Sequence, residues 1–252
     1  MGRESYFLKN FRSTVGKAIN DFNLIQKNDR ILVGFSGGKD SIALFDILNS
    51  RKKFVPVNYE LIPLFVYNGE YIDTIKEVEN FFRNFYNLSV IIKTVNISEF
   101  VTSGKNNENP CFICSRIRRK IFFDTAYELK CNKLALGHNM DDMNETLLLN
   151  IFYSGNISTM LPKQVLFDGD LTIIRPLIYL LENQILKYVK TLDLPVIEKK
   201  CSYRGKSRQR EKIKRIINEL YEDNKKVKKN IANSVRNVNA DYLWQNIEKG
   251  DK

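Results

Sequence analysis

A chain of 252 residues with 43% hydrophobic side chains is long enough to bury a sizeable core as one large domain or one and a half. It has no apolar run long enough to cross a bilayer, and its N-terminus, MGRESYFLKNFRS, lacks the apolar stretch of a signal peptide. Four cysteines at irregular spacing argue against a secreted disulfide scaffold and for a reducing cytoplasm, and a formal charge of +11 points to a polyanionic partner.

Residues 5–22 are amphipathic at helical period, with Phe7, Phe11, Val15, Ala18, Ile19 and Phe22 on one stripe. RILVGF (30–35) is a short apolar run ending in a Gly-rich turn, so a buried strand, and a helix follows from about Ser41 to Leu48. YELIPLFVY (59–67) reads as the next strand, although Pro63 is unusual inside one. YIDTIKEVENFFRNFYN is helical by period, and SVIIKTV (89–95) is a third strand. The polar loop VTSGKNNENP (101–110) leads to a helix from about Cys114 to Leu129; NKLALG is a fourth strand and 141–153 a further helix. LPVIEKK, just before Cys201, can also read as a strand. The last ~45 residues are charged and helical in pattern, without strands. Alternating strands and helices imply an α/β fold with a parallel, doubly wound sheet.

The charge is concentrated. Between Lys199 and Arg215, nine Lys or Arg residues face one acid, Glu211. Such a run is either a solvated helix face or a phosphate-binding surface.

FSGGKDSI (35–42) carries the clearest chemistry. Gly37 and Gly38 let backbone N–H groups close on an anion, at a helix N-terminus that already favours negative charge. Ser36 and Ser41 add hydroxyls, Lys39 adds a cation, and Asp40 can orient the loop or hold Mg²⁺. The spacing differs from the usual G-x-x-x-x-G-K-[ST] loop. ALGHNMDDMNET (135–146) again follows a strand and opens a helix. It places Gly137, His138 (the single histidine), Asp141 and Asp142 at a strand's carboxyl end, where open α/β sheets bind ligands and carboxylates can hold Mg²⁺ through water. In ENPCFICSRIRRK (108–120), Cys111 and Cys114 precede Arg116, Arg118, Arg119 and Lys120. A helix N-terminus and nearby arginines favour thiolates. An iron–sulfur cluster, a reactive dithiol or persulfide, zinc and a structural pair all remain open for this stretch.

The string SGGKDS resembles the pyrophosphatase-loop family of ATP-dependent adenylating enzymes. Within it, VGKAINDFNLIQKNDRILVGFSGGKDS, CFICSRIRRKIFFDTA, LALGHNMDD, IIRPLIY and the late Cys201 resemble the tRNA 2-thiocytidine synthetases, in the same order over roughly residues 12–205. GHNMDD resembles the related 2-thiouridine thiolases as closely. The family's late C-x-x-C reads CSYR here, with Arg204 in the second place, which leaves three candidate ligands.

The resemblance implies a [4Fe–4S] cluster on Cys111, Cys114 and Cys201, with ATP and Mg²⁺. Ser36, Gly37, Gly38, Lys39, Asp40, Ser41, Gly137, His138 and Asp142 would bind ATP, and Lys39, Asp40 and Asp141 would carry the chemistry. It implies sulfur transfer to C2 of a pyrimidine, most simply an anticodon-loop cytidine, after adenylation. Arg116, Arg118, Arg119, Arg175, Arg204, Arg208 and Arg210 would bind the tRNA. A sulfur donor (a cysteine desulfurase or sulfide) and a homodimer are also implied, with no membrane partner. The expected division is an N-terminal helix (1–28), a nucleotide-binding catalytic domain (29–200) and a basic helical extension (201–252). A lysidine-type ligase would need no cysteines, and a cluster-based desulfidase would need no ATP.

Overall fold

The computed structural model describes residues 5–67, 72–95, 110–197 and 208–242, and of Pro110 and Cys111 the backbone. Ser5 caps the first helix, α1 (Tyr6–Asp21), by accepting the Leu8 N–H at 3.3 Å. The following elements are β1 (Arg30–Phe35), α2 (Lys39–Arg51), β2 (Glu60–Tyr67), α3 (Asp73–Tyr86) and β3 (Ile91–Thr94). Then come α4 (Pro110–Glu128), β4 (Lys133–Ala135), α5 (Met140–Leu149), a π-helical turn (Asn150–Ser154), β5 (Lys163–Leu166), β6 (Leu171–Ile174) and α6 (Glu182–Thr191). Helices α7 (Arg208–Asp223) and α8 (Val227–Ser234) are the last α-helices among the described residues. No helix among the described residues is long and apolar enough to cross a membrane. The chain forms two compact units, one from residues 1–140 and 161–207, the other from 141–160 and 208–252.

The first unit holds a six-stranded sheet in the order β3-β2-β1-β4-β6-β5. All neighbours run parallel except β5 and β6, which pair antiparallel at the edge. That hairpin turns through Phe167, Asp168 and Gly169, all at positive φ, and was not among the expected strands. Pro63 is tolerated because β2 pairs with β3 only from Leu64 onward, so Pro63 is flanked by β1 alone.

Strands β1 and β2 are buried on both faces. Ile31, Val33, Phe35, Leu61 and Phe65 pack with α1, α2, α3 and α6, whereas Leu32, Leu64 and Val66 pack with α4. Asp46 on α2 accepts from the Tyr86 hydroxyl at 3.0 Å and the Tyr188 hydroxyl at 2.6 Å, tying α2 to α3 and α6. Burial, then Asp46, raises the pKa of both tyrosines.

Three local expectations shift. Helix α2 starts at Lys39, because the Gly38 carbonyl accepts from both Ser41 and Ile42. Helix α4 starts at Pro110, whose fixed φ and missing N–H suit a first helical position, so Cys111 and Cys114 both lie in its opening turns. Residues 194–197 of LPVIEKK form no strand. The second unit buries Met143, Leu147, Ile213, Ile217 and Ala232 on α5, α7 and α8.

Candidate active site

Strand β1 lies between β2 and β4, so chain connections leave it in opposite directions, and its carboxyl end is the switch point of the sheet. There the chain turns through Ser36–Ser41. Gly37 takes φ +78°, and a β-carbon on it would lie 3.0 Å from that of Ile197. The Ile197 N–H donates to the Gly37 carbonyl at 3.0 Å. Ser41 is buried and its hydroxyl is spent inside the loop. Its proton goes to the Gly38 carbonyl at 2.9 Å, and its oxygen accepts the Ser36 N–H at 3.1 Å and lies 3.1 Å from the Ser36 hydroxyl. Ser41 therefore shapes the loop, and half-buried Ser36, whose oxygen also accepts the Gly38 N–H at 3.4 Å, is the more accessible of the two hydroxyls.

Lys39 Nζ stands 3.0 Å from both Asp40 Oδ2 and Glu182 Oε1. Burial works against the ammonium, but Asp40 and Glu182 outweigh it and raise its pKa. Glu182, the first residue of α6, was not singled out in the sequence; its signal is an acid opening a helix after an apolar run. The other Asp40 oxygen accepts from buried Asn139 at 3.0 Å. Gly137 presses its backbone on the same loop: a β-carbon there would lie 3.0 Å from the Asp40 carbonyl carbon and oxygen. Only glycine permits this approach, which locks the β4 turn to the β1 loop.

His138 lies between those two contacts. Its Nδ1 accepts from Arg175 Nε at 3.3 Å. Arg175, expected on RNA phosphates, is instead 6% exposed and bonded to this ring and to the Leu161 carbonyl. Burial, and then the charge of Arg119 on α4, lowers its pKa to about 10. Nearby on α4, burial lowers the pKa of Arg118 while Cys114 opposes that shift. Hydrogen bonds thus link Arg175 to His138 and the adjacent Asn139 to Asp40, and the charge of Arg119 on the cysteine-bearing helix is felt at Arg175.

Residues 7–221 match the PP-loop domain family. A tRNA-cytidine(32) 2-sulfurtransferase from Geobacter sulfurreducens is 35% identical over 237 residues, covering 93% of this chain and 92% of the relative. A protein of the same name from Syntrophotalea carbinolica is 36% identical, covering 95% and 93%. The chain belongs to the PP-loop family, with these tRNA 2-sulfurtransferases. The solved U34-tRNA thiolase NcsA from Methanococcus maripaludis, with its [4Fe-4S] cluster, superposes with a TM-score of 0.74 at 27% identity, over 92% of this chain and 78% of that one.

The opening turns of α4 carry two cysteines, a donor type that iron–sulfur clusters take. Cys111 and Cys114 are three residues apart on α4, a spacing that puts the two positions on one helix face. Cys114 is half-buried. Arg118 Nε is buried with no hydrogen-bond partner among the described residues, a cation left for an anionic group beside Cys114. Among the described residues no three His, Cys, Asp or Glu side chains are grouped to hold a metal. The third thiol, Cys201, lies outside the described residues with Arg204, four residues past the docked Ile197. Cys131 precedes β4 at its opposite end, buried, and burial pushes its thiol up to about 11, which suits a packed thiol and not a ligand.

In the second unit the acids of α5 are already paired. Asp141 bonds Lys228 at 2.6 Å, Arg210 bonds Glu145 at 2.8 Å, and Arg210 lies 4.0 Å from Asp142. Burial raises the Glu145 pKa, against the pull of Arg210. Arg210, expected on tRNA, is therefore a structural partner, while Arg208, Lys212, Arg116 and Arg119 are exposed. Of the carboxylates expected at Mg²⁺, Asp40 sits in the loop itself, Asp141 is paired with the Lys228 ammonium, and Asp142 lies 4.0 Å from Arg210.

Proposed function

We propose that this chain is an ATP-dependent tRNA 2-thiolase that adenylates the C2 oxygen of cytidine 32 and replaces it with sulfur. What carries the reading is that the chain is about a third identical, nearly end to end, to tRNA-cytidine(32) 2-sulfurtransferases, with the nucleotide loop and the cysteine-bearing helix α4 in one compact unit. The base follows from those relatives' name. A C2 oxygen is a poor leaving group until it carries AMP, so an ATP site and a sulfur site must face the same base.

The loop amides, Ser36 and Lys39 hold the β,γ-pyrophosphate, with Lys39 held in place by Asp40 and Glu182. Asp40 would hold Mg²⁺ against the phosphates. Cys111, Cys114 and Cys201 would hold a [4Fe–4S] cluster, which would supply the sulfur-presenting chemistry of the second step. Arg118 offsets negative charge beside Cys114. Arg116, Arg119 and Arg208 take tRNA phosphates, leaving an unstacked loop base to enter the site. The family resemblance adds a cytoplasmic setting, a dimer of identical chains, and a cysteine desulfurase or free sulfide as donor.

The test is anaerobic reconstitution with iron and sulfide, then incubation with unmodified tRNA, ATP and sulfide. Pyrophosphate, AMP and 2-thiocytidine at position 32 are expected in equal amounts. Sulfur at position 34 would overturn the choice of base, and thiolation without pyrophosphate would overturn adenylation.

A further inference from the structure

A carbonyl oxygen attacking a phosphorus carries no proton, so a base has nothing to remove in the adenylation step. The α-phosphate, by contrast, gains from hydrogen-bond donors. His138, the one histidine of the chain, would by residue type be assigned as a base. Its surroundings point the other way. Arg175 Nε–H donates to His138 Nδ1 at 3.3 Å, and its Nη1 donates to the Leu161 carbonyl at 2.5 Å. The Arg175 N–H donates to the Pro162 carbonyl at 2.9 Å. Both ends of this residue are thus fixed, and the side chain is built into the fold.

A guanidinium has donors and no acceptor. Even with its pKa lowered to about 10 by burial and Arg119, it stays charged near neutrality. Nδ1 must therefore offer its lone pair, and the ring proton belongs on Nε2. A second proton on Nδ1 would break the bond and set imidazolium against guanidinium. The two residues flanking His138 both contact the nucleotide loop, Gly137 through its backbone and Asn139 through its bond to Asp40.

We propose that Arg175 is a positioning residue that holds His138 as a neutral Nε2–H donor to the nucleotide's phosphoryl oxygens, not as a proton acceptor. The part played on phosphate rests on the adenylation reading; the tautomer does not.

With a single histidine, ¹⁵N-histidine labelling gives one imidazole to observe in the reconstituted protein. Above neutral pH the wild type should show a protonated Nε2 and an unprotonated Nδ1, well separated. Arg175→Met should draw the two signals together by tautomer exchange, and Arg175→Lys, which can still donate, should keep them apart. A protonated Nδ1 in the wild type would overturn the proposal. The second arm is tRNA-dependent pyrophosphate release by His138→Gln and His138→Ala. Gln keeps an N–H donor but cannot act as a base. It should stay within about tenfold of the wild-type kcat, while Ala loses about 10²–10³-fold, the usual cost of one such donor. Gln as slow as Ala would overturn the donor role. A wild type that makes no pyrophosphate would instead overturn adenylation, with the labelled ring still deciding the tautomer.

Discussion

Gly137→Ala tests whether the β4 turn, docked on the β1 loop, sets the geometry of the nucleotide site. The new β-carbon would lie 3.0 Å from the Asp40 carbonyl carbon and oxygen and 3.2 Å from the Ser41 nitrogen, where ordinary contacts begin at 3.4 Å. All three atoms are main chain in the first turn of α2, so no rotamer change relieves the clash. The turn must back away by 0.4 Å, the difference of those two distances, and it carries His138 and the 3.0 Å Asn139–Asp40 bond with it. Overpacking of this kind costs about 1–3 kcal/mol of stability. If a 1 Å misplacement costs about 10²-fold in rate, a shift near half that should slow pyrophosphate release roughly five- to tenfold. The assay is steady-state pyrophosphate release with saturating ATP and tRNA, alongside a thermal melt. Gly34→Ala is the control. Its β-carbon would meet Leu136 Cδ2 at 3.0 Å and Phe122 Cζ at 3.3 Å, the ends of side chains that can yield. It should lose stability and keep its rate. A wild-type rate in Gly137→Ala, or equal slowing in both variants, would refute the reasoning.

Among the cysteines, Cys111→Ala, Cys114→Ala and Cys201→Ala should lose iron on anaerobic reconstitution while Cys131→Ala keeps it; iron per chain decides. Burial favours the neutral Cys131 thiol, so its contribution is complete below its ordinary value of 9.0 and fades as pH climbs toward about 11. The Tm advantage of wild type over Cys131→Ala should shrink over that range. Lys228→Met leaves the buried Asp141 carboxylate without its ammonium and should destabilise the second unit by about 3–5 kcal/mol, with Asp141→Asn in the same chain recovering part of the loss in urea unfolding. Replacing Arg208 and Lys212 by Gln should lower the salt slope of tRNA binding by about 2, one for each lost phosphate contact. Arg210→Gln should instead lower stability, since Arg210 is bonded to Glu145.

The sheet was legible where strands are buried on both faces, because RILVGF and YELIPLFVY have to be apolar throughout. The loop at 36–41 was legible because all its chemistry is contiguous. The β5–β6 hairpin went unread although VLFDGDLTII holds a Asp-Gly pair between two apolar runs, a recognised turn signal. The acid at Glu182 marks a helix start but not its partner, and Lys228 had no local signal, since each acts on a residue far away in sequence, Lys39 and Asp141. Over residues 194–197 the strand expected before Cys201 does not form, and the Ile197 N–H is taken by Gly37, a loop contact and not a ladder.

Charge is where composition and structure part furthest. A basic run states how many cations exist, but phosphate binding needs cations whose hydrogen bonds are still to be made. Arg210 and Arg208 are two residues apart in one run, yet Arg210 is drawn onto Glu145 while Arg208 faces solvent. Arg175 is a stronger case, for its guanidinium is buried against His138 and a carbonyl, where a phosphate would have to displace both bonds. Burying a cation costs desolvation that only fixed partners offset, so a buried arginine has its role set by the groups it touches. For Arg175 one of those groups, His138, belongs to the turn that grips the nucleotide loop. Its replacement should therefore change the chemistry on ATP more than the salt dependence of tRNA binding.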